Sequence, residues 1–144
     1  MLKYVVRFGL LVTLALMLQG CASNRATATL SPDTDLTGVK SIYVLKFAPD
    51  KRGINNIIAD KLGSMGYQVR TGADTAYRED VLVTYKDKWM WDITMYMIEL
   101  TITLRDPKTE FPLATGNSFH TSLTRKSPQE MVDEVIGNIF KQER

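Results

Sequence analysis

The stretch that decides the fold reads Tyr96-Met97-Ile98-Glu99-Leu100-Thr101-Ile102-Thr103-Leu104. Apolar and polar residues alternate along it, which is typical of a β-strand that buries one face. We expect the core side to hold Tyr96, Ile98, Leu100, Ile102 and Leu104, and the other side Met97, Glu99, Thr101 and Thr103. The strand-like composition begins at Trp89 and continues to Arg105, so the predicted strand is unusually long. A sheet built around it is the centre of the fold.

Turn signals on both sides predict antiparallel partners for the long strand. Residues 81–85 are predicted to form one strand, with the charged residues 86–88 as its turn. On the other side, Asp106 and Pro107 fill the first and second positions of a type I turn. Residues 111–123 are therefore expected to pair with the long strand.

A strand, a helix and a second strand precede this antiparallel half. Residues 41–47 are apolar on both faces, as in a strand inside a sheet. The helical stripe after Gly53 consists of Ile54, Ile57, Ile58, Leu62 and Met65, and residues 67–70 form the second strand. Such a unit pairs its strands in parallel with a right-handed crossover. The sequence between the first strand and the helix has no Gly-x-Gly-x-x-Gly, which excludes the dinucleotide site that this motif builds.

The clearest local signal is that of a final helix. Ser127 as N-cap, Pro128 at the first helical position and Glu130 three residues after the cap form a capping box. The apolar stripe of this helix is Met131, Val132, Val135, Ile136, Ile139 and Phe140. Together these elements predict an α+β domain in which two helices pack on one face of a mixed five-stranded sheet. The other face is left polar and open to a partner.

The N-terminal residues have the pattern of a secretory signal peptide. Residues 1–7 hold two positive charges and no negative one, and residues 8–18 form an apolar run of eleven. A helix that spans a bilayer needs about 20 residues, so the run is too short to be one. It ends in Leu18-Gln19-Gly20-Cys21, and Cys21 is the only cysteine of the chain.

This ending resembles the lipobox of bacterial lipoproteins through Leu18, Gly20 and Cys21. The resemblance implies that residues 1–20 are removed as the signal peptide and that the sulfur of Cys21 receives a diacylglyceryl group. In this family the freed amine is often acylated too. Ala22 after the cysteine implies release from the inner membrane and delivery to the periplasmic face of the outer membrane in a Gram-negative host. In another host the expected location is the cell membrane. Two or more acyl chains hold a protein on a membrane for long periods.

Residues 21–39 are expected to hold the lipidated cysteine and a flexible tether, because they are rich in Ala, Thr, Ser and Asp and show no periodicity. The alternative is a short edge strand over residues 27–30. Residues 40–144 form the single folded domain in this interpretation.

Charge and cysteine content exclude several classes of function. Lys3 and Arg7 are the only charges in the first twenty residues, so removing them from the 18 basic residues leaves 16 against 16 acidic ones. A neutral body gives no general attraction to nucleic acid or to anionic lipid, both of which need a clustered basic surface. With Cys21 acylated, no thiol remains for a disulfide or a soft metal site, and no metal or cofactor is predicted.

Residues 89–97 are the candidate contact surface. They contain both tryptophans and three of the seven methionines of the chain. Trp and Met are favoured at adaptable protein interfaces, so Trp89, Trp91, Met95 and Met97 are predicted to bind an envelope protein. The alternative is that the two tryptophans cap the open end of the core.

Catalysis has little support in the sequence. His120 is the only histidine and shares a strand face with Ser118, but neither stands at a strained turn, so we expect His120 to be a surface or half-buried residue. Asp87 and Asp92 would serve a glycosidase only if the fold placed them around a cleft. The chain is not predicted to be an enzyme, and the alternative is an envelope hydrolase acting on peptidoglycan or another glycan.

The pattern over residues 40–144 also resembles small uncharacterised envelope lipoproteins and, more distantly, lipoproteins that assist envelope transporters. The resemblance rests on the amphipathic helix that closes on Gly66-Tyr67-Gln68-Val69, on residues 80–85 and on the later hairpin. It implies an α/β domain without a catalytic site. The predicted function is that of an outer-membrane-anchored lipoprotein acting as a non-catalytic binding or assembly component of the envelope.

Overall fold

Six strands form the central sheet of the computed structural model, which describes residues 24–142. Their bounds are β1 Asn24–Leu30, β2 Ser41–Leu45, β3 Gln68–Gly72, β4 Val81–Asp92, β5 Thr94–Arg105 and β6 Pro112–His120. The strands lie in the order β1-β6-β5-β4-β2-β3. As expected, β2 is parallel to β3, and it is also parallel to β4, whereas the remaining pairs are antiparallel. The predicted α+β class with a mixed sheet is confirmed.

Two helices share one core with the sheet. Helix α1 is Ile54–Ser64 and helix α2 is Pro128–Lys141, and a salt bridge of 3.0 Å from Lys61 to Asp133 joins them. The capping box predicted at Ser127 and Glu130 is present, with both reciprocal hydrogen bonds. The buried residues of the two helices pack with those of β2, β4, β5 and β6 in a single cluster. No helix within residues 24–142 is long and apolar enough to cross a membrane.

Strand β1 corrects the expectations of five strands and of a flexible tether over this part of the chain. Residues 24–30 pair with β6 along their whole length, from Asn24 opposite His120 to Leu30 opposite Ala114. Ala28 and Leu30 pack against the core. Because β6 and α2 supply the bulk here, the strand needs no large apolar side chains, and its small residues resembled a linker. The signal peptide and Cys21 lie outside the described residues.

Strand β4 corrects the turn that was expected at residues 86–88. These three charged residues lie inside β4, which continues to Asp92, and the chain reverses at Ile93. Alternation explains why the charges do not break the strand. Lys88 forms an ion pair of 2.8 Å with Glu99 across the sheet, while Asp87 on the opposite face accepts a hydrogen bond from the indole of Trp89.

A β-bulge in β5 corrects the predicted faces of the long strand. Lys88 pairs with Glu99, but the next residue, Trp89, pairs with Met97, so Ile98 has no partner in the register. One extra residue reverses the side-chain direction of everything beyond it. Met97 therefore lies in the core with 1% of its surface exposed, although it was expected to face away from the core. Ile98, expected in the core, is only half-buried.

Candidate functional site

The four residues predicted to bind a partner lie on one face of the β4–β5 hairpin. Trp89 is paired with Met97 and Trp91 with Met95, and residues directly opposite each other in an antiparallel pair share a face. Side-chain exposure rises along this face towards the end of the hairpin. Met97 belongs to the core, Trp89 packs against the core, and Trp91 is 70% exposed. The hairpin extends beyond the core, so only its end is available for contact.

The end of the hairpin carries an unusual concentration of exposed apolar side chains. Seven large hydrophobic residues are exposed in the described part of the chain, and four of them lie within residues 90–95. We call the apolar tip the set Met90, Trp91, Ile93, Met95 and Leu123. Leu123 stands on a short 3-10 helix, Ser122–Thr124, that follows β6. Exposed apolar side chains concentrated in this way mark a contact surface.

Ile93 forms the turn at the apex of the apolar tip in a strained conformation. Its φ angle of 61° lies in the left-handed region, and its side chain is 86% exposed. For a β-branched residue this region is a clear outlier, whereas glycine or asparagine would adopt it readily. Isoleucine therefore occupies a position at which solvent exposure favours a polar residue and the backbone conformation favours glycine or asparagine.

Arg125 joins the two parts of the apolar tip. Its guanidinium donates to Thr94 Oγ1 at 2.9 Å, lies 3.7 Å from the carboxylate of Asp92, and stacks 4.6 Å from the ring centre of Tyr96. These contacts connect the loop that carries Leu123 to the apex of the hairpin.

Trp89 is held in place by two polar partners as well as by the core. Its indole Nε1 donates to Asp87, and the guanidinium of Arg52 lies 4.0 Å from its ring centre. Arg52 precedes helix α1, so these contacts connect the base of the hairpin to the helical layer. For Trp89 the interpretation as a cap on the core fits this packing, whereas Trp91 has the exposure of a contact residue.

His120 and Ser118 are buried beneath helix α2, which corrects the expectation of a surface or half-buried histidine. His120 is 2% exposed and Ser118 is fully buried. Both bind the same atom, Glu134 Oε2, with Ser118 Oγ donating at 2.6 Å and His120 Nε2 at 2.8 Å. Lys126 Nζ donates to the other carboxylate oxygen at 2.6 Å. Each group is directed at the carboxylate, so serine and histidine are arranged to hold α2 on the sheet.

These three hydrogen-bond donors keep the carboxyl group of Glu134 ionised. Burial alone would raise its pKa, but the hydrogen bonds from Lys126, Ser118 and His120 outweigh burial and lower the pKa to about 2. A carboxylate with two oxygens engaged by three donors is a strong structural acceptor. No sequence pattern indicated it, because the four residues come from β6, the following loop and α2.

The two carboxylates considered for glycoside hydrolysis are engaged in separate structural contacts. Asp87 accepts from Trp89, and Asp92 pairs with Arg125. Within residues 24–142 no group of three or more His, Cys, Asp or Glu side chains could hold a metal ion.

A second concave surface lies on the sheet, at the end opposite the apolar tip. This groove has a volume of about 750 Å³, and its lining includes Lys46, Lys86, Arg105, Tyr85 and Glu110. Three cationic side chains against one carboxylate give it a positive charge. An anionic ligand would match that charge better than a cationic one.

Comparison with known proteins supports the fold and goes no further. No family model and no curated protein sequence matches the chain. Among solved structures, the PelC dodecamer from Paraburkholderia phytofirmans is similar over 81% of this chain and 98% of that chain, with 14% identity and a TM-score of 0.59. A substituted form of the same PelC gives a TM-score of 0.61. TolB from Acinetobacter baumannii is 15% identical with a TM-score of 0.53, over 83% of this chain and 31% of that one.

Proposed function

We propose that the chain is a lipoprotein, anchored through Cys21 to the periplasmic face of the outer membrane, that acts as a non-catalytic binding or assembly component of the envelope. The observation that carries the binding role is the apolar tip. Its exposed Trp91 and Ile93 stand at the end of a hairpin fixed by Arg125.

The strain at Ile93 supports this role. A non-glycine residue held in a sparsely populated backbone region costs about 1–3 kcal/mol, and such strain is concentrated at functional sites. The side chain of Ile93 is 86% exposed, so in the free protein it contributes no free energy of burial that would offset this cost. The cost would be offset by contact with another component of the envelope.

An assembly role is consistent with the similar fold of PelC, which is a dodecamer. The similarity to PelC concerns the fold alone, and the contact surface proposed for this chain is its own apolar tip.

The anchor is tested by replacing the only cysteine. Cys21→Ser should leave the precursor uncut and without lipid, because the thiol is the acceptor of the diacylglyceryl group in the lipobox interpretation. Cells fed a fatty-acid probe should label the wild-type protein and not the variant, and only the wild type should be in the outer-membrane fraction. A labelled variant, or an unlabelled wild type, would show that the chain is not a lipoprotein.

A further inference from the structure

We propose that the apolar tip inserts into the interface of the same membrane that holds the acylated Cys21. The inference rests on the proposed function, because it takes the lipid anchor as given, and it names the partner of the apolar tip as a phospholipid surface. The domain would then touch the membrane at two points, through its acyl chains and through its hairpin.

The topology places both points at one end of the sheet. Strand β1 starts at Asn24, which pairs with His120 at the end of β6. In the next row of the sheet, Arg25 pairs with Phe119, and Phe119 pairs with Glu99 of β5. From Glu99, β5 leads back to its first residue, Thr94, which lies beside the apex of the hairpin. Leu123 follows His120 by three residues and so belongs to the same end. The chain leading back to Cys21 leaves the sheet where the apolar tip projects.

The lengths of chain on the two sides are matched. Cys21 precedes Arg25 by four residues, which can span at most about 14 Å. Lys88 of β4 pairs with Glu99, and Ile93 follows Lys88 by five residues, or about 16 Å at the rise of a strand. The apex and the acylated residue can therefore reach the same level to within about 2 Å. Interfacial elements bury their apolar faces about 5–10 Å into the boundary between headgroups and acyl chains.

The chemistry of the apolar tip suits a lipid interface. Trp is enriched at the level of the headgroups, and Ile93, Met95 and Leu123 supply apolar surface beside Trp91. Asp92 is the only charged residue within 90–95, and Arg125 partly neutralises it. The cationic groove, in contrast, lies at the other end of the sheet near Arg105 and Glu110.

The experiment uses the full, processed protein in vesicles that contain phospholipids brominated on their acyl chains. Bromine quenches tryptophan emission only at short range. Two variants separate the two indoles: Trp89→Phe leaves Trp91 as the only tryptophan, and Trp91→Phe leaves Trp89. We expect the emission of Trp91 to shift to shorter wavelength and to be quenched by the brominated lipid, and the emission of Trp89 to be unaffected.

A second pair of variants separates lipid contact from folding. Ile93→Gly removes the apolar side chain from a position whose φ favours glycine, so it should reduce quenching of Trp91 while the urea midpoint stays equal to or above that of the wild type. Glu110→Gly is the matched control, because Glu110 has a φ of 59° at the turn at the opposite end of the sheet. It should leave quenching unchanged.

Mass spectrometry of the same sample distinguishes the two proposals. An unacylated Cys21 would contradict the proposed function, and an acylated protein whose Trp91 still emits as in water would contradict the membrane contact alone. A shift to shorter wavelength without quenching by bromine would show that protein covers the apolar tip, and it would also overturn the inference. Quenching of Trp91 in an unacylated protein would support the contact of the apolar tip with lipid and contradict the lipid anchor at Cys21.

Discussion

Replacing Glu134 by alanine is expected to lower the free energy of unfolding by about 3–5 kcal/mol. The substitution leaves the buried hydroxyl of Ser118 and the buried Nε2–H of His120 without their acceptor, and it also removes the partner of Lys126. Urea unfolding at pH 7 measures the loss. Asp133→Ala is the matched control on the same helix, because its half-exposed salt bridge to Lys61 contributes about 0–1 kcal/mol.

The same carboxylate predicts a dependence of stability on pH. Its pKa is about 2 in the folded protein and 4.5 for the free side chain, so its contribution is fully present above about pH 4.5 and is lost as the pH falls towards 2. The shift corresponds to about 3 kcal/mol. Other carboxylates with lowered pKa also weaken the fold in acid, so the comparison is with Glu134→Gln, which should lose less stability over this range. Equal losses in the two proteins would mean that Glu134 is not the linked group.

Replacing Gly116 by valine is expected to destabilise the domain by about 3 kcal/mol, or to prevent folding. A Cβ atom on this residue of β6 would lie 2.7 Å from Val135 Cγ1 and 3.0 Å from Ile139 Cγ1. Both belong to the buried side of α2, so the helix rests directly on the backbone of the sheet. Thermal unfolding measures the effect.

Gly137 provides a control of opposite sign. It lies in α2, and a Cβ atom added to it would meet nothing within 4 Å, so Gly137→Ala should stabilise the protein by about 0.5–1 kcal/mol through helix propensity. If Gly116→Val unfolds at the wild-type temperature, the close approach of α2 to β6 is wrong.

The local signals in the sequence predicted both helices and the strands of the core, and they failed at β1, at residues 86–88 and at the bulge in β5. The capping box at Ser127 and the parallel pairing of β2 with β3 follow from short-range chemistry and are present in the structure. The bulge at Ile98 could not be predicted, because Tyr96, Met97 and Ile98 are all apolar and either register would bury some of them. Tertiary packing decided the register, and with it the face on which Met95 and Met97 lie.

The candidate site shows the same division. Residues 89–97, which include Ile93, were identified from composition, yet Leu123 completes the apolar tip and Arg125 contacts it without any sequence signal. Leu123 and Arg125 lie about thirty residues from the apex of the hairpin in the chain and reach it only because β6 ends beside β5. The pairing of His120 with Glu134 likewise joins a strand to a helix. Contacts of this range depend on topology, which periodicity does not reveal.

Photocrosslinking in living cells tests most directly whether the apolar tip is the contact surface of an envelope lipoprotein. A photoactivatable aromatic residue is placed at Trp91 and, as a control, at Glu110 at the other end of the sheet. We expect the probe at position 91 to become attached to envelope phospholipid and the probe at position 110 to remain free of it. Equal lipid attachment at both positions, or attachment at position 91 only to water or to the chain itself, would contradict the proposed contact.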